Sequence, residues 1–230
     1  SPSSPAEMAQ LLSIRLPAEV VARTKSMLSD ATDLANRGAH FAAREQFEKI
    51  MRVTCQALDA QVGQSIHSRA LARGLRAINE AEDFGMHGDS AESDLHLGGY
   101  IAGHRTPILK DVPSSQITSL LAMQAYYRYA VDQLSIAGNN EPISSQALFS
   151  LGRIEDLLSR RTGDVAGGGP KALAFYHAAL AVDARNGRAA NELGVMLARR
   201  GRLQDACSVF HRSAAANEPT AVANLSKIYG

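Results

Sequence analysis

The chain has 230 residues, of which 45% are apolar and 5% are aromatic, and its formal net charge at pH 7 is +1. This length allows one or two domains with a sizeable hydrophobic core. The charge is too evenly balanced to favour a nucleic-acid partner, which would require a basic stripe interleaved with stacking aromatic side chains.

The composition predicts an all-helical protein without membrane spans. Alanine and leucine are frequent, whereas the alternating runs of valine, isoleucine and threonine that are typical of strands are missing. No stretch approaches the roughly 18 consecutive apolar residues of a membrane-spanning helix. Cys55 and Cys207 both fall on apolar helix faces, where we expect buried free thiols.

Residues 1–23 are predicted to form a tail and a first helix. Ser4 caps this helix, while Pro5 and Glu7 occupy its first turn. A start rich in serine and proline is also typical of the linker that follows a removed signal or anchor segment. Two locations therefore stay open, the cytoplasm and the cell envelope.

Three more helices are predicted before residue 85. The first opens at Pro17 and stops at Gly38, and the last covers roughly 58–84. The middle helix starts near residue 40. Its predicted apolar face consists of Phe41, Phe47, Ile50 and either Val53 or Thr54.

The segment 85–113 breaks the helical pattern. It holds five glycines and two prolines, and only a short helix capped by Ser90 is expected inside it. A loop of this length within a compact domain is often functional or mobile.

Six helices are predicted after this segment, separated by short turns as an antiparallel array requires. They cover about 114–138, 143–161, 170–184, 187–200, 203–216 and 220–229. With the preceding elements this gives ten or eleven helices and no sheet. We favour one continuous solenoid with 85–113 as an irregular middle segment. Two subdomains divided at that segment are the alternative.

An internal repeat occupies the C-terminal part of the chain. One set of residues recurs after 42 positions and a second set after 34, and the difference of eight corresponds to an insertion around 163–170. The first set, Leu148, Leu151 and Gly152, recurs as Ala190, Leu193 and Gly194. The second set, Ala172, Tyr176 and Ala179, recurs as Ala206, Phe210 and Ser213. Repeats of this length indicate stacked helical units, because one unit cannot bury its apolar face alone.

The repeated residues resemble the tetratricopeptide (TPR) family and its Sel-type relatives. The unit of that family is two antiparallel helices, with a Leu-Gly pair in the first and a small-x-x-x-aromatic-x-x-small pattern in the second. The resemblance is strongest over 142–230, covers one unit over 24–57 and is absent from about 58–125. It implies an all-α, TPR-like solenoid of antiparallel helix pairs. The implied parts are the tail and helix of 1–23, the helical region of 24–141 with one unit and the irregular segment, and the repeats of 142–230.

The resemblance also implies a binding surface. In the TPR family the first helix of each pair lines a concave groove that holds proteins or peptides. The corresponding residues here are Gln146, Phe149, Arg153 and Asp156 of one unit, and Arg188, Asn191, Val195 and Arg199 of the next. The arginines among them suit a carboxylate or the backbone of an extended peptide, and the alternative is that some are simply solvated. Some TPR domains clamp the acidic tails of heat-shock chaperones, but only Arg153 is basic among the clamp positions here.

The expected function is non-catalytic binding of a protein or peptide, as a scaffold or adaptor and without a cofactor or metal. No serine has a histidine and an acid at a spacing typical of nucleophilic catalysis. The histidines of the irregular segment, His87, His96 and His104, lack the paired spacing of metal ligands. The alternative is a small-ligand binder or an enzyme in which 85–113 closes as a lid over a pocket.

Overall fold

The computed structural model describes residues 13–85, 91–161 and 169–229. Helices are the only regular secondary structure in these three ranges. The prediction of an all-α protein is therefore confirmed. Three predicted features lie outside the described residues. They are the start of the helix that Ser4 caps, the helix cap at Ser90 and the turn at 163–168.

Ten α-helices and one 3-10 turn, at Ser114–Gln116, lie in the described part of the chain. The α-helices are α1 (Ala18–Asn36), α2 (His40–Val62), α3 (Ile66–Gly85), α4 (Ala91–Gly103), α5 (Ser119–Gly138), α6 (Pro142–Arg161), α7 (Pro170–Val182), α8 (Gly187–Arg199), α9 (Leu203–Ala215) and α10 (Pro219–Tyr229).

The break between α2 and α3 lies later than predicted, so the expectation of one helix over 58–84 is wrong. Helix α2 continues until Gly63, which adopts a left-handed φ of 71° and terminates it. Helix α3 then begins beside the Asp59 carboxylate, which accepts the backbone N–H bonds of His67 and Ser68 at 2.8 and 3.0 Å. Partial burial acts to raise the pKa of Asp59, but the hydrogen bonds from Ser68 and His67 outweigh it, and the pKa is lowered.

Two further local predictions are wrong for identifiable reasons. Helix α5 starts later than predicted, because residues 114–116 form the 3-10 turn and the Thr118 side chain then caps α5 by accepting the Leu121 N–H at 3.2 Å. Phe41 does not join the buried face of α2, since its side chain is 75% exposed. It precedes the buried Ala43 by two residues, which turns it about 200° around the helix axis.

Eight of these helices form four packed pairs. The pairs are α1 with α2, α3 with α5, α6 with α7, and α8 with α9, and α10 packs on α9. In three pairs a glycine of the first helix lies against a large side chain of the second, so close that a Cβ atom there would come within 2.6 to 2.8 Å of it. The missing Cβ lets the two backbones approach. The three contacts are Gly74 with Leu134, Gly152 with Tyr176, and Gly194 with Phe210.

The irregular segment lies between the two helices of one pair, because α3 precedes it and α5 follows it. Its helix α4 contributes Leu97 and Ile101 to a small second core, which Phe84 of α3 and Tyr126 of α5 complete. A helix pair is therefore present in a region where the sequence shows no complete repeat.

A single continuous core joins the four pairs, from Leu16 before α1 to Ala221 in α10. Helix α2 packs against α6 as well as α3, and α1 also contacts α6. Both cysteines are free thiols, but only Cys55 is buried as predicted, and its S–H group donates to the Ala137 carbonyl over 3.4 Å. The predicted burial of Cys207 is wrong, because its side chain is partly exposed. Because α1 and α2 both contact α6, the N-terminal pair packs against the first helix of the third pair.

Candidate functional site

A cavity of about 330 Å³ opens where α1 and α6 meet the turns that precede α8 and α10. We call it the polar cleft. Its lining includes three of the residues predicted for the groove, Gln146, Phe149 and Arg188. Leu28 and Thr32 of α1 form another part of the wall. The structure therefore brings these three predicted residues together, but in a cleft that α1 partly closes.

Arg188 lies over the ring of Phe149, with its guanidinium carbon 4.8 Å from the ring centroid. Phe149 is only 4% exposed and belongs to the main core, so this platform is rigid. A guanidinium stacked through its face keeps the N–H groups at its edge available for hydrogen bonds. The stacking therefore positions a charged donor at the cleft.

The backbone around Arg188 is also fixed. Asn186 caps α8 by accepting the Ala189 N–H at 3.0 Å, and its amide nitrogen donates to the Ser145 hydroxyl at 2.8 Å. The second hydrogen bond joins the start of α8 to the start of α6. Arg188, in the first turn of α8, is consequently held in place from both helices.

The carboxylates of the polar cleft are engaged within the protein. Asp183 accepts the Arg185 backbone N–H at 3.0 Å and lies 3.6 Å from the Arg185 Nε. Glu218 accepts the Thr220 hydroxyl at 2.8 Å. Arg188 makes no ion pair in the described part of the chain. Arg188 therefore presents N–H donors at the cleft, of the kind that suit carboxylate or carbonyl oxygens.

Two more predicted residues, Arg153 and Asp156, act electrostatically on the buried Tyr176 hydroxyl. Burial raises the pKa of the Tyr176 hydroxyl. The negative charges of Glu192 and Asp156 raise this pKa further, whereas the positive charge of Arg153 lowers it. The Tyr176 hydroxyl and one Asp156 oxygen are both buried without a hydrogen-bond partner among the described residues. The other Asp156 oxygen accepts a hydrogen bond from Arg160. Buried polar atoms of this kind are usually satisfied by water or by a ligand.

The remaining three predicted residues do not join either group. Asn191 is buried, and its side-chain oxygen accepts the amide N–H of Asn224 from α10 at 2.9 Å. Val195 is half-buried against the main core, and Arg199 is exposed in the last turn of α8, outside the cleft lining. The eight predicted positions therefore do not form one open surface along α6 and α8.

Sequence reasoning missed the wall that α1 supplies, together with the cleft residues of the two turns. The contact between Leu28 or Thr32 and α6 joins residues more than a hundred positions apart. The repeat pattern describes only contacts within a unit and between successive units, so it carries no signal for this packing.

The irregular segment is clamped to α3 and α5 through His104. Its ring nitrogens lie 3.1 Å from the Tyr126 hydroxyl and 3.1 Å from an Asp83 oxygen. An aspartate, a histidine and a hydroxyl in series can activate a nucleophile, but Tyr126 is fully buried. Burial, followed by the charge of Glu80, raises the pKa of Tyr126 to about 12. These contacts instead fix the segment, and none of its described residues lines the polar cleft.

Comparison with known proteins gives no match, since no protein-family model, curated protein or solved structure is significantly similar to the chain. Within the described ranges, no helix combines the length and apolar character that crossing a membrane requires. Nor does any group of three or more histidine, cysteine, aspartate or glutamate side chains there have an arrangement that could hold a metal ion.

Proposed function

We propose that the chain is a non-catalytic, TPR-like helical-repeat module, a scaffold or adaptor that binds a peptide of a partner protein in the polar cleft. The observation that carries this proposal is Arg188, whose guanidinium is stacked 4.8 Å above the buried Phe149 ring at the cleft. A rigid charged donor without an internal counterion is typical of a recognition site for carboxylate or carbonyl oxygens.

Two hydrogen bonds support the assignment of the last two pairs as repeats. In the third pair the Ser145 hydroxyl of α6 donates to the Ala179 carbonyl of α7 at 2.8 Å. In the fourth pair the Ser213 hydroxyl of α9 donates to the Gly187 carbonyl of α8 at 2.7 Å. The first-helix members are 42 residues apart and the second-helix members 34, which are the offsets of the sequence repeat. Equivalent positions thus meet in both pairs, with donor and acceptor exchanged.

The size and chemistry of the polar cleft favour the end of a peptide or one anchoring residue. A volume of about 330 Å³ lies at the lower end of known ligand sites. Helix α1 closes one side, so an extended chain cannot run across the whole α6 and α8 surface. A carboxylate or main-chain carbonyl on the Arg188 edge, with the amide of Gln146 beside it, is the arrangement that we propose.

The first prediction tests this site with a random-peptide display library, selected on the full chain. A charge-assisted hydrogen bond contributes about 1.5–3 kcal/mol, so Arg188→Glu should weaken the selected peptides by about tenfold or more. Arg161→Glu, an exposed change at the end of α6, serves as the matched control and should bind like wild type. Affinities are measured by fluorescence anisotropy.

Unchanged binding by the Arg188→Glu protein would remove the polar cleft as the site. Arg199→Glu adds a second comparison, because Arg199 lies on the same helix but outside the cleft. An equal loss in that protein would mean that the site extends along α8, as the family resemblance implies.

A further inference from the structure

A second groove, which shares no lining residue with the polar cleft, lies between α5 and α7 and ends at the α8–α9 turn. Its volume is about 790 Å³. We call it the apolar groove. Its apolar lining includes Leu120, Met123, Tyr127, Leu173, Ala174 and Leu197. Leu120 is 52% exposed, and a large aliphatic side chain left open beside other apolar groups marks an interaction surface.

The shape of the apolar groove follows the two helices that form its walls. Helix α5 lines it from Leu120 to Val131 and α7 lines it from Pro170 to Ala181, each at steps of three or four residues. Eleven residues of helix rise about 16 Å, so the groove is about three turns long. A ligand that covers it therefore needs a comparable length and its own apolar stripe.

The charge of the apolar groove is one-sided. Arg128, Arg200 and Arg202 line it, and its lining contains no carboxylate among the described residues. Partial burial lowers the pKa of His177 in the α7 wall, and the guanidinium groups of Arg202 and Arg212 lower it further. Arginines thus outnumber acidic side chains around the α8–α9 end of the groove.

The acidic side chains around the apolar groove have basic partners and stand outside its lining. Arg202 is paired with Asp205 at 2.8 Å, yet Asp205 is not part of the lining. On the other side, Glu82 and Glu155 lie 2.9 and 3.5 Å from the Lys171 ammonium group. These carboxylates are engaged with Lys171 and also lie outside the lining.

We infer that the apolar groove binds an amphipathic helix with acidic flanks, supplied by a partner protein. An extended peptide would leave backbone N–H and C=O groups without partners over the apolar floor, whereas a helix satisfies its own. Helices of this kind place apolar residues at positions i, i+3 or i+4, and i+7, which gives one apolar stripe that can cover the groove. The acidic flanks complement the three arginines. A second copy of this chain fits less well, because two-fold pairing of the groove would bring the same arginines face to face.

The test uses a display library of helices about 14 residues long, or four turns, with fixed leucines at helical spacing and random residues elsewhere. Selection on the full chain should enrich aspartate and glutamate at the random positions. The best peptide is then synthesised with a fluorescent label. Leu120→Glu and Arg128→Glu should each weaken its binding by about tenfold or more, as loss of an anchor or of a paired charge does.

The control is Phe41→Glu, which changes an exposed apolar residue of α2 outside the groove and should leave the affinity unchanged. Absence of enrichment, enrichment of neutral or basic peptides, or full affinity in the Leu120→Glu protein would overturn the inference. A dimer of the chain that Leu120→Glu dissociates, seen by light scattering, would also overturn it and assign the groove to a second copy. None of these results depends on Arg188, so this site and the polar cleft are tested separately.

Discussion

At the scale of single residues, small side chains decide how closely the helices of a pair approach. Ala43, Ala130, Ala172 and Ala206 occupy the same place in the second helix of the four pairs, and all four are fully buried. Each precedes a large buried side chain by four residues, and in the last three pairs that side chain fills the space beside a glycine of the first helix. A larger residue has little room at these positions, because the four alanines are fully buried in a closely packed interior.

The prediction at this scale is that Ala206→Leu destabilises the protein by about 1–3 kcal/mol through overpacking. Gln204→Leu, on the exposed side of the same helix, should change the free energy of unfolding by less than about 0.5 kcal/mol. Urea denaturation followed by circular dichroism measures both. Equal effects of the two substitutions would contradict the helix register.

The candidate site shows what single residues can and cannot predict. The family resemblance predicts Gln146, Phe149 and Arg188 on one surface, and all three line the polar cleft. The burial of Asn191 was not predictable in the same way, since it depends on Asn224 of α10. Thr32 was missed for the same reason, as it reaches the cleft only through packing between distant helices.

At the scale of helices, the sequence predicted their number and type better than their partners. Glycine and capping signals locate most ends, but the apolar pattern continues from Val62 to Ile66 and hides the helix end at Gly63. The sequence does not predict α3 as the partner of α5, although Ala130, Leu134 and Ala137 of α5 fit the pattern of a second helix. The glycine of this pair, Gly74, and its buried leucine, Leu134, fit the contact seen in the other pairs. The irregular segment, however, separates Gly74 from Leu134 by 60 positions, so the two residues do not follow the period of the repeat.

The irregular segment is attached to α3 by hydrogen bonds that a single substitution can remove. The Glu80 carboxylate accepts the backbone N–H bonds of Arg105 and Thr106 at 2.8 and 3.0 Å. Partial burial acts to raise the pKa of Glu80, but hydrogen bonds from Thr106 and Arg105, and the nearby His104, bring it below its usual value. The ionised Glu80 side chain therefore stabilises the fold fully above the ordinary glutamate pKa of about 4.3. This stabilisation is lost as the pH falls through the lower pKa that Glu80 has in the folded protein.

We therefore expect Glu80→Ala to loosen the segment locally. Hydrogen exchange of the Arg105 and Thr106 amides should accelerate by about tenfold, because each loses a charged acceptor, whereas exchange in α6 to α9 should not change. Glu45→Ala, at an exposed position of α2, is the control. Mass spectrometry of exchanged peptides gives the measurement. Acceleration throughout the chain would show that the segment is part of the global core instead.

At the scale of the whole molecule, a chain of ion pairs joins helices from three of the four pairs. Arg44 of α2 lies 3.2 Å from Glu155 of α6, which lies 3.5 Å from Lys171 of α7. Lys171 also lies 2.9 Å from Glu82 of α3. Lys171 and Glu155 are nearly buried, so their charges depend on one another. Together with the continuous core, this network predicts that the N-terminal and C-terminal helices unfold as one unit.

The two cysteines of the chain allow this coupling to be tested by thiol labelling, without an added reporter residue. Cys55 is fully buried in α2, and burial followed by the charge of Asp59 raises the pKa of its thiol, so it reacts only when the protein opens. Breaking a buried ion pair costs about 3 kcal/mol, but Glu82 is 47% exposed and reduces that cost. Lys171→Ala should therefore speed thiol labelling of Cys55 by about tenfold, even though Lys171 lies on α7. Lys227→Ala, on exposed α10, should leave it unchanged. A contrary result would be slow labelling of Cys55 in the Lys171→Ala protein together with faster labelling of Cys207. The N-terminal and C-terminal helices would then open independently, and two subdomains divided at the irregular segment would describe the protein correctly.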